Sequence, residues 1–284
     1  MKPKSIFIIA TLILAAYLVL KVALGIGIAI PGGPIGTSLL FFAFGLLVCA
    51  MYYGKKDALV FFLIVFVTGW LYETCSIMTG FPFGHYYYSD ILGPKLGNVP
   101  VLIMFMYFGV GVMSWFIAHI LLGKYDNKLK GKDFVLISII SAFVMTMWDV
   151  TLDPVAATIT GEWVWRDGGP YFGVPLVNFL GWFLCVFTFF AIFAAYQFMK
   201  KSNPSLVIMK EKSSWLLPIA GYLAVILATP VAAIFGTNYQ ITSPDGHIWW
   251  ASDIRWSMIL VATYSMLFVV VLALIKFKQH FDED

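Results

Sequence analysis

The chain has 284 residues, 61% of them hydrophobic and only 12% charged, with a formal net charge of +3. Soluble domains are about 45–50% apolar and about 25% charged, so a soluble globular enzyme, a disordered chain and a coiled coil are excluded. A mean hydropathy of +0.89 exceeds what a water-facing fold can bury. The chain therefore reads as an all-α polytopic membrane bundle, one integral membrane domain over residues 1–284.

In chain order, eight apolar runs reach the roughly 20 residues needed to cross a hydrocarbon core of about 30 Å. They cover 5–27, 35–53, 57–79, 99–122, 133–155, 174–199, 214–236 and 255–277. The first follows Lys2 and Lys4 and is broken only by Lys21. It is longer than the roughly 7–15 apolar residues of a signal peptide, so an uncleaved first span is expected. Basic residues collect where an even number of spans puts the cytoplasm. Lys2, Lys4, Lys55, Lys56, Lys124, Lys128, Lys130, Lys132, Lys200, Lys201, Lys210, Lys212, Lys276 and Lys278 fall on one side, and Lys95, Arg166 and Arg255 on the other. Both termini of this multi-pass cell-membrane protein are expected in the cytoplasm.

The loops expected outside are Gly80–Asn98, Ala156–Gly173 and Thr237–Ser252, rich in Gly, Pro and aromatic residues. Such long loops over a helical bundle tend to carry function. Two of them share an order: Thr-Gly at 79–80 and 160–161, aromatics, Gly-Pro at 93–94 and 169–170, Gly at 97 and 173, and Val-Pro at 99–100 and 174–175. Glu73 precedes the first Thr-Gly by six residues and Asp153 the second by seven. Spans three and four and spans five and six thus read as parallel repeats about an axis along the membrane normal.

Glu73, Asp149 and Asp153 lie inside or at the edge of apolar spans, where a charge costs several kcal/mol. They are the candidate catalytic residues. Asp149 and Asp153 are four apart and share a helix face, and two carboxylates that close cannot both ionise cheaply. The bland alternative is loop capping, or pairing with each other and with Arg166 or Arg255. Trp148, Trp163, Trp165, Tyr86, Tyr87, Tyr88, Tyr171, Trp249 and Trp250 crowd the same side. An interfacial belt accounts for about half of such aromatics; the others would present π faces to a developing cation.

His85, His119, His247 and His280 show no ligand spacing on one helix, and the phosphate-cradling glycine pattern of dinucleotide folds is absent. Cys49, Cys75 and Cys185 form no disulfide framework. No basic cluster interleaved with aromatics suggests nucleic acid.

The stretches TGFPFGHYYYSDILGPKLGNVPV (79–101) and WDVTLDPVAATITGEWVWRDGGPYFGVPLVNFLGW (148–182) carry a resemblance. They are similar to the membrane carotenoid-biosynthesis protein family of carotenoid 1,2-hydratase and bisanhydrobacterioruberin hydratase type. The resemblance is dense over residues 68–182 and implies hydration of the terminal C1–C2 double bond of an acyclic carotenoid, leaving a tertiary alcohol at C1. The implied partners are a membrane-dissolved carotenoid, lycopene-like or a bacterioruberin precursor, the lipid bilayer, and other membrane enzymes of carotenoid synthesis. No cofactor and no metal is implied. The candidate substrate-binding set is Trp148, Trp163, Trp165, Tyr86, Tyr88, His85, Tyr171 and Asn178.

Elementary chemistry fits that expectation. Hydrating an unactivated trisubstituted alkene starts with protonation at C2, which needs a carboxylic acid held in a dry pocket. The tertiary cation at C1 needs π faces or a carboxylate in a low-dielectric site, and a second carboxylate must position the water. Two other readings stand beside it. Asp149-Val-Thr-Leu-Asp153 could chelate magnesium in an intramembrane prenyltransferase, although a second Asp-rich motif is missing. Buried carboxylates and parallel repeats also occur in transporters and lipid-binding membrane proteins without catalysis.

Overall fold

The structure, a computed structural model, describes residues 3–126, 129–200 and 211–282. Lys2, Lys128, Lys201 and Lys210 of the expected charge asymmetry lie outside the described residues. Among the described residues, seven helices are long and apolar enough to cross a membrane. They are α1 (Pro3–Gly25), α2 (Gly33–Thr79), α3 (Val101–Leu121), α4 (Asp133–Ile159), α5 (Leu176–Lys200), α6 (Lys212–Phe235) and α7 (Ala251–Asp282). The chain is an all-α membrane bundle.

α2 covers both the second and the third expected spans. At about 1.5 Å per residue, its 47 residues would reach about 70 Å if straight. Gly54 interrupts it with φ 81° and ψ 166°. The Phe42 and Phe62 rings, which a straight helix would hold about 30 Å apart, have centroids 5.2 Å apart. The chain turns back at Gly54, and arms 33–53 and 55–79 pack against each other.

The helices meet through aromatic side chains and small residues. Phe61 and Phe193 stack at 4.0 Å. A Cβ on Gly45 would stand 3.0 Å from the Gly109 Cα, so glycine on both helices lets α2 and α3 approach closely. One end of the bundle is tied by ion pairs: Lys200 to Asp57 at 2.5 and 2.6 Å, Lys124 to Asp133 at 2.7 Å, and Lys212 to Asp282 at 2.9 Å.

The other end carries three two-stranded antiparallel sheets, from β1 (Tyr86–Tyr88), β2 (Lys95–Leu96), β3 (Val99–Pro100), β4 (Trp163–Trp165), β5 (Gln240–Thr242) and β6 (Ile248–Trp250). β2 pairs with β3 and β5 with β6 as local hairpins. β1 pairs with β4 across the bundle, with Tyr86 opposite Trp165, Tyr87 opposite Val164 and Tyr88 opposite Trp163. The loop after α2 and the loop after α4 thus form one small sheet.

Candidate active site

α2 ends at Gly80, whose φ of 79° lets its N–H return to the Ser76 carbonyl. That turn sends the chain back over the helix end into β1. Side chains alternate along a strand, so Tyr86 and Tyr88 point inward and are buried while Tyr87 is exposed. Both inward hydroxyls donate to Glu73 Oε2, Tyr88 at 2.9 Å, and Tyr107 on α3 donates to Glu73 Oε1. Burial, and then the adjacent Glu73 carboxylate, push the Tyr86 and Tyr88 hydroxyls well above the ordinary tyrosine value of about 10. They therefore stay protonated donors at neutral pH.

The α4 half repeats this plan with different chemistry. β4 turns Trp163 and Trp165 inward, and their indole N–H groups donate to Asp153 Oδ1 at 2.7 and 3.4 Å. Asn178 on α5 donates from Nδ2 to Asp153 Oδ2 at 2.6 Å and to Asp149 Oδ2 at 3.1 Å. Among the described residues, no donor reaches Asp149 Oδ1.

The last six residues of α4, Pro154–Ile159, are π-helical. Pro154 has no N–H to give the Val150 carbonyl. The Tyr171 hydroxyl donates to that carbonyl instead, at 3.1 Å. A π segment accommodates one residue more than an α-helical turn. Thr160 follows Asp153 by seven residues, whereas Thr79 follows Glu73 by six, and the π segment takes up the extra residue.

Glu73, Asp149 and Asp153 line one cavity of about 380 Å³. Its walls include Tyr86, Tyr88, Tyr107, Trp148, Trp163, Trp165, Trp182 and Asn178. The Tyr107 and Trp182 rings meet at 4.7 Å, Tyr86 and Trp165 at 4.8 Å, and Trp148 and Trp182 at 5.7 Å. The opposite side is formed by residues such as Tyr17, Lys21 and Leu24 of α1. No three His, Cys, Asp or Glu side chains among the described residues are grouped to hold a metal ion.

Most of the sequence-derived site residues converge here, but two do not. His85 is exposed and packs on the α2 turn, where a Cβ on Gly80 would come within 2.6 Å of its ring. Tyr171 stands outside the cavity wall, satisfying the carbonyl that Pro154 leaves free. Asn178 is a bridge between two carboxylates as well as a lining residue.

Sequence reasoning missed Tyr107, Trp182 and Glu162, and it noted Lys21 only as a break in the first span. A signal existed for the first two. Tyr107 follows Pro100 by seven residues, as Trp182 follows Pro175, so superposing the Val-Pro pairs aligns them. Nothing in the linear pattern places Lys21 or Glu162 in the cavity.

Comparison with known proteins agrees with this picture. Residues 35–243 match the family described as carotenoid biosynthesis protein. Over 113 residues the chain is 31% identical to bisanhydrobacterioruberin hydratase from Haloarcula japonica, covering 39% of this chain and 36% of that relative. The chain thus spans just over a third of the length of the curated relative it matches. No solved structure matches the chain.

Proposed function

The chain belongs to the carotenoid biosynthesis protein family, and from that premise we propose that it hydrates the terminal C1–C2 double bond of an acyclic carotenoid. The observation that carries the reading is the set of three carboxylates on one aromatic-walled cavity within the membrane-spanning bundle. A 31% identical relative named as a hydratase supports it over a short stretch.

In this reading the Asp149/Asp153 pair holds the proton. Asn178 engages Oδ2 of both side chains, and the indoles engage Asp153 Oδ1. Asp149 Oδ1, without a donor among the described residues, is the oxygen to carry the proton to C2. Protonation leaves a tertiary cation at C1, and the Trp148, Trp163, Trp165 and Trp182 rings offer it π faces. Glu73 accepts one phenol on Oε1 and two on Oε2, which leaves Oε1 acceptor capacity for a water. That water adds its oxygen to C1 and gives a proton to Glu73. Returning this proton to the aspartate pair closes the cycle, so one water is consumed and no net proton. The chemistry needs neither redox cofactor nor metal. The substrate is lycopene-like or a bacterioruberin precursor.

Expression in a lycopene-producing host, with the extracted pigments weighed by mass spectrometry, tests the proposal. The expected result is a gain of one water per reacted end. Unchanged lycopene beside correctly inserted protein overturns it. The strand-bearing end is assigned to the outer face and both termini to the cytoplasm, supported by the lysine asymmetry. A cysteine introduced at exposed Asp90 should react with an impermeant reagent from outside, and labelling from the cytoplasm alone reverses the orientation.

A further inference from the structure

The cavity is roofed at the strand-bearing end. β1 and β4 pair there. The β5–β6 hairpin is held down where Gly169 N–H donates to Asp245 Oδ2 at 3.1 Å and where Trp249 meets Phe172 at 5.3 Å. A long apolar molecule dissolved in the bilayer meets the bundle from its sides.

α1 is the wall least embedded in the bundle. Tyr17, Lys21, Leu24 and Gly25 share one helix face and line the cavity. Ile8, Leu12, Val19 and Val22 point outward and are exposed. The connection from α1 to α2 contains Gly27 and Gly32, with φ of 86° and 68°. Neither would bring a Cβ within 4 Å of another group. Lys21 stands alone in the apolar run 5–27. A charge there is costly to place in the bilayer. Glu162, in the turn before β4, lines the same cavity and carries the opposite charge. Burial pushes the Glu162 carboxyl above the usual range, and the Lys21 ammonium pulls it back.

We propose that α1 is a side gate of the cavity, drawn shut by attraction between Lys21 and Glu162, through which a rod-shaped, membrane-dissolved apolar substrate enters. The substrate class rests on the hydratase reading, whereas the gate itself is read by uptake rather than by reaction.

A staple between α1 and α6 tests it. A Cβ on Gly25 would lie 3.2 Å from the Val231 Cβ, close to the roughly 3.5–4.5 Å of a disulfide. The full chain carrying Gly25→Cys and Val231→Cys, with exposed Cys75→Ser, is purified in detergent and mixed with lycopene. Uptake is followed by the visible absorption that co-elutes with protein, and hydration by mass. The oxidised form should take up lycopene many-fold more slowly, and reduction should restore wild-type uptake. Equal uptake by a form whose disulfide is verified overturns the gate. Staple-sensitive uptake without any gain of water in the reduced form supports the gate and overturns the hydratase reading instead. Lys21→Met and Glu162→Gln should each speed uptake several-fold, and the exchanged pair Lys21→Glu with Glu162→Lys should return it to the wild-type rate. Identical uptake in all of these variants overturns the Lys21–Glu162 latch.

Discussion

Around Glu73 every donor is a phenol, from Tyr86, Tyr88 and Tyr107. Around Asp153 the donors are two indoles and the Asn178 amide. Each carboxylate receives two donors from alternate residues of a strand and a third from the helix that follows. One turn earlier on their helices the two halves part: Asp149 precedes Asp153 by four residues, and Gly69 precedes Glu73 by four. A Cβ on Gly69 would press on Tyr107 Cδ2 at 3.0 Å and Met104 Sδ at 3.1 Å. Glycine there leaves Tyr107 room to reach Glu73. The same plan thus surrounds one carboxylate with donors and sets two others side by side through Asn178, the arrangement on which the proposed hydration rests.

The largest expected effect breaks the pair. Asp149→Asn and Asp153→Asn keep size and much of the hydrogen bonding but cannot deliver the proton. General acid catalysis contributes about 10²–10⁴-fold, and pigment hydration in the lycopene host should fall by that range in each variant. If both variants insert normally and hydrate at near wild-type rate, the acid must be sought at Glu73.

Tyr107→Phe sharpens the other half. It removes one phenol from Glu73, and a hydrogen bond to a charged group is worth about 1.5–3 kcal/mol. If Glu73 directs the water, the chemical step should slow by about 10–100-fold, with little change in lycopene uptake. Loss of uptake with an unchanged chemical step would instead make Tyr107 a packing residue of the cavity wall.

Tyr171→Phe separates the π segment from the chemistry. The structure gives Tyr171 to the Val150 carbonyl, and an ordinary hydrogen bond is worth about 1 kcal/mol. A loss of that size in thermal stability is expected, with turnover per folded molecule unchanged. A selective fall in turnover would return Tyr171 to the substrate-binding set.

Much of this was legible in the sequence for physical reasons. Long apolar runs must be helices in lipid because every backbone group has to be satisfied internally, so the bundle followed from composition and run length. Glu73, Asp149 and Asp153 stood out because charge is costly there. The sequence shows offsets of six and seven residues before the two Thr-Gly pairs without a reason for the difference. Only the structure shows that Pro154 widens the helix there. Tyr171 and His85 stand off the cavity wall; an aromatic in a loop has the same appearance in sequence whether it faces a cavity or packs on backbone. Tyr107 was hidden inside α3, where nearly every residue is apolar or aromatic and nothing local marks the one that turns to a carboxylate. Lys21 and Glu162 are 141 positions apart, and no periodicity joins two elements at that distance.

The smallest effect concerns the β5–β6 hairpin, which meets only the α4 half of the roof in the contacts described above. Asp245 Oδ2 accepts from Gly169 N–H, while Oδ1 accepts from Ser243 at 2.5 Å and from His247 N–H at 3.4 Å. The Ser243 hydroxyl first, then the amide and ring of His247, hold the Asp245 carboxyl below the ordinary carboxylate range, against an opposing effect of burial. A carboxylate with a depressed folded value contributes its stability above the unfolded value of about 3.9 and loses it as pH falls through the folded value. The hairpin should therefore stay docked across the neutral and mildly acidic range and release only below about pH 4. Hydrogen exchange at Gly169 and along 240–250, corrected for the intrinsic pH dependence, reads this directly. Protection should be flat down to mild acid in the wild type and already lost at neutral pH in Asp245→Ala. Because Asp245 bonds to the loop and not to the reacting carboxylates, hydration by the variant should fall far less than with either Asp→Asn change. If Asp245→Ala abolishes hydration while leaving exchange untouched, Asp245 belongs to the chemistry and the roof is held by the Phe172–Trp249 contact alone.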